Sequence, residues 1–223
     1  MNFKFLFRAI ALTLMWAASA DAAPSDIQGR AIRSDQWVIR RKEKEEEFIG
    51  NVSFQSEQAQ VSSDWALIRD EQIFSARGHL HIEKKIAENE RLELWGDEGV
   101  YSETEGKARA EGNLRFLHSA AGAFRSGAAD KALWDGGLQQ LTLTGRVRLT
   151  GPDYSAWSRQ AVYDRPTGEI ALEGGRPVVR AQDRDWTSEI QAEYILLDLR
   201  RQRIAARGQV HGWINFENNT PGH

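Results

Sequence analysis

Three aspartates recur at one offset along the chain: Asp135, Asp164 and Asp198. Carboxylates that converge can move protons or hold a metal ion. Here each follows an apolar pair, Leu133-Trp134, Val162-Tyr163 and Leu196-Leu197, and stands just before residues suited to a turn. That placement reads as a strand end starting a turn, with successive copies a strand pair apart, so no catalytic centre is assigned to them. His79 and His81 alternate on one strand, but a zinc site needs three or four convergent ligands, and the polar face of a strand accounts for them. No catalytic residue, metal ligand or cofactor is expected.

Tryptophan is the unusual side chain. After residue 23 it stands at Trp37, Trp65, Trp95, Trp134, Trp157, Trp186 and Trp213, about once per thirty residues. An indole joins a large apolar ring to one polar N–H. Such rings suit the ends of a core or the caps of strands, and they equally suit a mouth where an amphiphile's tails meet its polar head.

The elements that position these residues form a repeat. The stretch ADKALWDGGLQQLTLTG at 129–145 runs from a small residue through an apolar strand and a Gly-Gly turn to an alternating strand and a glycine. Copies start at Ser34, Ser63, Gly96, Ser158 and Ala192 and close at Gly50, Gly78, Gly112, Gly174 and Gly208. Evenly spaced units of this length mark stacked supersecondary structure. After the first four closing glycines the second and fourth residues are apolar: Val52 and Phe54, Leu80 and Ile82, Leu114 and Phe116, Val147 and Leu149. Polar residues lie between them. A period of two places the apolar set on one face of a sheet. Short turns between consecutive strands imply antiparallel neighbours, since a parallel crossover needs a dozen or more residues. The fold class is therefore all-β, antiparallel, from about six two-strand repeats. The last two repeats weaken: Pro177 suits a bulge or edge better than a central strand, and Gly212 stands where an apolar residue is expected. The charged run RRKEKEEE at 40–47 reads as a solvated hairpin whose opposite charges pair across strands.

Residues 1–23 read as a signal peptide, with Lys4 and Arg8 before a short apolar run and small residues at the cleavage site. The expected product is an exported, periplasmic protein; the competing reading keeps the segment as an inner-membrane anchor. Residues 24–31 are a lead-in, 32–217 the repeat domain and 218–223 a tail. The 223-residue chain has no cysteine, so it must be stabilised by packing or by partners and not by disulfides. Its net charge of −3 argues against nucleic acid as a partner.

The Gly-x-apolar-x-apolar units, with the AVYD strand at 161–164 and the GVY copy at 99–101, resemble the OstA-like family. That family includes the lipopolysaccharide transport protein LptA, the periplasmic part of LptC and the N-terminal domain of LptD. The resemblance implies an antiparallel β-jellyroll, a folded-over sheet whose groove takes lipopolysaccharide acyl chains. Val52, Phe54, Leu80, Ile82, Leu114, Phe116, Val147 and Leu149 would then line the groove. Family members join end to end across the periplasm. An open stack has an unpaired edge at each end, here near Trp37 and Val38 and near Val210 and Ile214, inviting head-to-tail pairing. The implied partners are an LptC-like jellyroll at the first edge, an LptD-like domain at the last, and further copies of the chain. The alternatives are an LptC-like anchored component and a structural or adaptor jellyroll with a dry core.

Overall fold

The computed structural model describes residues 31–216 apart from 57, 58, 71, 89, 121 and 122. The leader and the tail lie outside the described residues. Sixteen strands form one sheet in which every pairing is antiparallel. They are β1 (Ala31–Arg33), β2 (Gln36–Arg40), β3 (Glu45–Gln55), β4 (Ala59–Arg69), β5 (Ile73–Ala87), β6 (Glu90–Ser102), β7 (Lys107–Ala120) and β8 (Ala123–Asp135). They continue with β9 (Gln140–Thr150), β10 (Tyr154–Asp164), β11 (Glu169–Glu173), β12 (Val178–Gln182), β13 (Trp186–Gln191), β14 (Tyr194–Asp198), β15 (Arg203–Arg207) and β16 (His211–Phe216).

The eight long strands β3 to β10 each bend at mid-length, where the pairing register shifts. At the two ends the bend breaks the strand outright, so β1 and β2, β11 and β12, β13 and β14, and β15 and β16 are the halves of four more bent strands. Twelve bent strands make the six two-strand repeats that the sequence predicts. Each repeat runs from bend to bend, so the closing glycines Gly50, Gly78, Gly112 and Gly145 lie inside strands, while Gly174 and Gly208 lie in the breaks between β11 and β12 and between β15 and β16.

The bend has a specific chemistry. Gly112 and Asn113 both have positive φ, 83° and 47°, a conformation cheap for glycine and tolerated by asparagine. A Cβ on Gly112 would stand 2.1 Å from the Asp97 carboxylate, and Asn113 Nδ2 donates to that carboxylate at 3.2 Å. The same clasp joins Asp35 to Gly50-Asn51, Asp64 to Gly78-His79 and Asp130 to Gly145-Arg146. The Arg146 guanidinium holds the Asp130 carboxyl below its usual range. In the fifth repeat the bend is Gly174-Gly175-Arg176, all at positive φ, with one residue more than the others. Pro177 follows it between β11 and β12, fully buried, where its missing N–H costs no ladder bond.

The bends divide the sheet into two arms that fold over one another. One arm carries the half-strands beside the turns at 41–44, 103–106, 136–139, 165–168 and 199–202; the other carries those beside the turns at 151–153 and 183–185. Phe54 on the second arm meets Phe48 and Phe74 on the first, with ring centroids 5.4 and 5.3 Å apart. The charged hairpin pairs across strands as expected: Arg40 with Glu45 and Glu47, and Arg69 with Glu45. Among the described residues no helix is long and apolar enough to cross a membrane.

Candidate functional site

All eight residues expected on the inner face point there, but they divide by neighbourhood. Val52 and Phe54 belong to a close-packed N-terminal core with Phe48, Val61, Ile68 and Phe74. Val147 packs in a second core toward the C-terminus. The other five, Leu80, Ile82, Leu114, Phe116 and Leu149, line a partly open cavity of about 430 Å³ between the arms. That size falls within the range of small-molecule pockets, about 300–1,000 Å³. Val52, Phe54 and Val147 are therefore core residues and do not line the cavity; the period of two fixes the face and not the distance to the opposite arm.

The cavity exists because its walls are thin. Ala76, Ala108, Ala110, Ala132 and Ala161 face it with a single methyl each. Larger side chains lie flat against glycines instead of reaching inward. Phe116 covers Gly127, where a Cβ would stand 2.1 Å from its ring, and Leu80 covers Gly99 at 2.9 Å. Cross-strand pairing also runs an aromatic row along the first arm: Phe74 beside Tyr101, then Ala108, Trp134, Leu141 and Tyr163. These face the cavity across from the apolar row Ile82, Leu94 and Phe116.

Of the seven tryptophans among the described residues only Trp134 lines this cavity. Trp65, Trp95 and Trp157 lie on the outer face, one residue out of phase with the buried Ala66, the cavity-lining Leu94 and the buried Ala156. They neither fill core ends nor cap strands. Each packs against a cation or an imidazole: the Arg77 guanidinium lies 5.2 Å from the Trp65 ring, His81 stacks on Trp95 at 5.1 Å, and Trp157 lies between Arg148 and Arg180. Attraction between a cation and an aromatic face explains rings on a wet surface.

Asp135, Asp164 and Asp198 do not converge. Each caps its own turn: Asp135 accepts from Gly137 and Leu138, Asp164 from Thr167, and Asp198 from Arg200 and Arg201. Those bonds, with the Gln140 amide leading at Asp164, hold all three carboxyls below their usual range. His79 binds Asp64 at the bend while His81 stacks on Trp95, so the two imidazoles serve different neighbours.

The four expected edge residues are exposed. Trp37 and Val38 lie on β2, Ile214 on β16 and Val210 just before it. Each end of the sheet in fact offers two edge strands, one per arm: β1 and β2 at the start, β15 and β16 at the finish. Inner-face apolar groups lie uncovered at both ends, Ile39 53% and Trp37 52% exposed at the first, Ile214 63% and Phe216 67% at the last.

Sequence reasoning missed three inner-face cations on the second arm. Lys84, His118 and Arg125 continue the alternations Leu80-Ile82, Leu114-Phe116 and Gly127 by two residues, and that extension was the available signal.

Residues 31–203 match the family described as "LptA/(LptD N-terminal domain) LPS transport protein". No curated protein matches the sequence. Among solved structures the chain is similar to LptH from Pseudomonas aeruginosa, described as the LptA homologous periplasmic component of the conserved lipopolysaccharide transport device. The two are 9% identical and align over 86% of this chain and 99% of that one, with a TM-score of 0.30, too loose a superposition to transfer positions.

Proposed function

Because the chain belongs to the LptA/(LptD N-terminal domain) lipopolysaccharide transport family, we propose that it carries lipopolysaccharide acyl chains between its arms and forms part of a bridge across the periplasm. The observation that carries this reading is the cavity itself, walled by apolar side chains from both arms in a sheet that does not close into a barrel. Burial of acyl chains against Leu80, Ile82, Leu114, Phe116 and Leu149 would be driven by the hydrophobic effect, at about 25 cal/mol per Å² of apolar surface removed from water. The chemistry is transport and not catalysis.

The two ends supply the bridge. Edge strands offer unpaired main-chain groups, and uncovered inner-face side chains beside them extend the apolar interior to the boundary of the molecule. The first edge would meet an LptC-like jellyroll, the last an LptD-like domain, and either could meet another copy. The two edges differ, so repeated contacts are head-to-tail and grow open chains.

A photo-crosslinking residue at Ile82 or Phe116 tests the lipid reading, with Val52 in the packed core as the control. Crosslinks to lipopolysaccharide from the first two positions and not from Val52 are expected. A folded protein that gives none from any of them defeats the lipid reading and favours an adaptor with a dry interior.

A further inference from the structure

The inner face of the second arm changes character over one step of the sheet. The row Ile82, Leu94, Phe116, Gly127 and Leu149 is apolar throughout. The next row outward, two residues along each strand, pairs Lys84 with Leu92, Leu92 with His118 and His118 with Arg125. Three of its four side chains are basic. Leu92, His118 and Arg125 line the cavity, and Lys84 stands directly beside Leu92.

Cations do not belong on the inner face of an apolar sheet without a partner. Lys84 is only 5% exposed and has no ion-pair or hydrogen-bond partner among the described residues. Burial pushes its ammonium down to about 8. Arg125 is exposed and likewise has no ion-pair partner among the described residues; its charge is felt by the Tyr154 phenol, which burial pushes up and Asp153 pushes further. Asp153, which acts on the same phenol, lies in the turn outside the row. A chain could place leucine at both Lys84 and Arg125 and keep its packing. Retaining cations there makes sense if their counter-charge arrives with a ligand.

We infer that Lys84, His118 and Arg125 form an anion site at the rim of the cavity, which takes the phosphate groups of a phosphorylated, multiply acylated amphiphile and so fixes its orientation, head at the second arm's rim and tails against Phe116 and Leu80. The inference rests on the lipid-carrying reading above and adds to it a polarity that an apolar groove alone does not have. Ammonium and guanidinium groups suit phosphate oxygens, Arg through its planar fork and Lys as a point charge. Tyr154, next to Arg125, adds a hydroxyl donor to the same rim.

The test compares lipid A bearing its phosphates with the same lipid after their removal, on the wild type, Lys84→Gln, Arg125→Gln and the double variant. Binding is read by tryptophan fluorescence, since Trp134 lines the cavity. The wild type should prefer the phosphorylated lipid, and the double variant should lose about tenfold or more for that lipid alone, the size of a lost hydrogen bond to a charged group. Thermal midpoints no lower than the wild type's exclude unfolding as the cause. Equal binding of both lipids by the wild type, or a preference that survives in the double variant, overturns the anion site and leaves the lipid reading standing. Binding of neither lipid defeats the lipid reading and the inference with it. Inorganic phosphate that displaces the phosphorylated lipid from the wild type as effectively as lipid A itself would make a free anion the occupant and overturn the orientation.

Discussion

From β3 to the first half of β5 the arms touch through rings, while from β6 to β10 they stand apart around a cavity. The backbone is the same in both regions, bent strand after bent strand with an acid clasping a glycine at the crease. The difference lies in what the inner positions carry. Phe48, Phe54 and Phe74 reach across the N-terminal third and interlock edge to face. In the middle, Ala108, Ala110, Ala132 and Ala161 stop short, and Phe116 lies down on Gly127. One architecture thus supports either a solid interior or a hollow one, and side-chain volume decides. The solid third and the buried C-terminal core around Leu172 and Ile195 flank a middle that remains unfilled.

That contrast is breakable from both sides. The largest effect should come from Phe48→Ala, which empties a fully buried position in the solid third. A loss of about 3–5 kcal/mol is expected from the lowered urea midpoint, the usual size for an aromatic removed from a core. A loss under 1 kcal/mol would mean that the N-terminal third is not the stabilising part.

At the border between the regions, Lys84→Met should act in the opposite direction. Replacing a buried, unpaired ammonium by an apolar chain of similar length should stabilise the ligand-free protein by about 1–3 kcal/mol. The pH dependence follows from the direction of the shift. Below pH 8 the lysine is protonated in both states and the fold bears the whole cost of burying it. Between that value and the unfolded pKa near 10.4 the unfolded chain binds the extra proton, so stability rises with pH and the cost vanishes above it. Melting across this window should show the rise in the wild type and lack this contribution in the variant; identical profiles would refute the burial cost.

The smallest effect on stability should come from Ala110→Leu, which fills space in the hollow middle. The folding free energy should move by less than about 1.5 kcal/mol, because the added methylenes enter a cavity and not a packed core. Lipopolysaccharide binding should fall sharply in the same variant. Unchanged binding would place the lipid elsewhere.

Much of this was legible in the residues. The six glycines and the alternation that follows them give strand direction, repeat number and inner face. The crease was harder to see because its second half lies some fifteen residues upstream: Asp35, Asp97 and Asp130 meet glycines one strand ahead of them, a pairing that only register reveals. The recurring aspartates that did stand out, Asp135, Asp164 and Asp198, belong to turns. The outer-face tryptophans could have been found by counting parity, since Trp65 and Trp157 are out of phase with their inner neighbours Ala66 and Ala156. The cavity could not be found that way. Alternation states which way a side chain points and nothing about how far the opposite arm lies.

The uncovered ends bear on how the molecule survives, apart from what it carries. A neighbour seated on Trp37 and Ile39, or on Ile214 and Phe216, binds the folded chain and not the unfolded one. Mass action then couples folding to assembly, adding RT ln(1 + [L]/Kd) at each covered end. In a row of such molecules the interior members gain at both ends and the terminal ones at only one. A filament of this protein would therefore be toughest in its middle and would fray from its tips, unless a different jellyroll caps them.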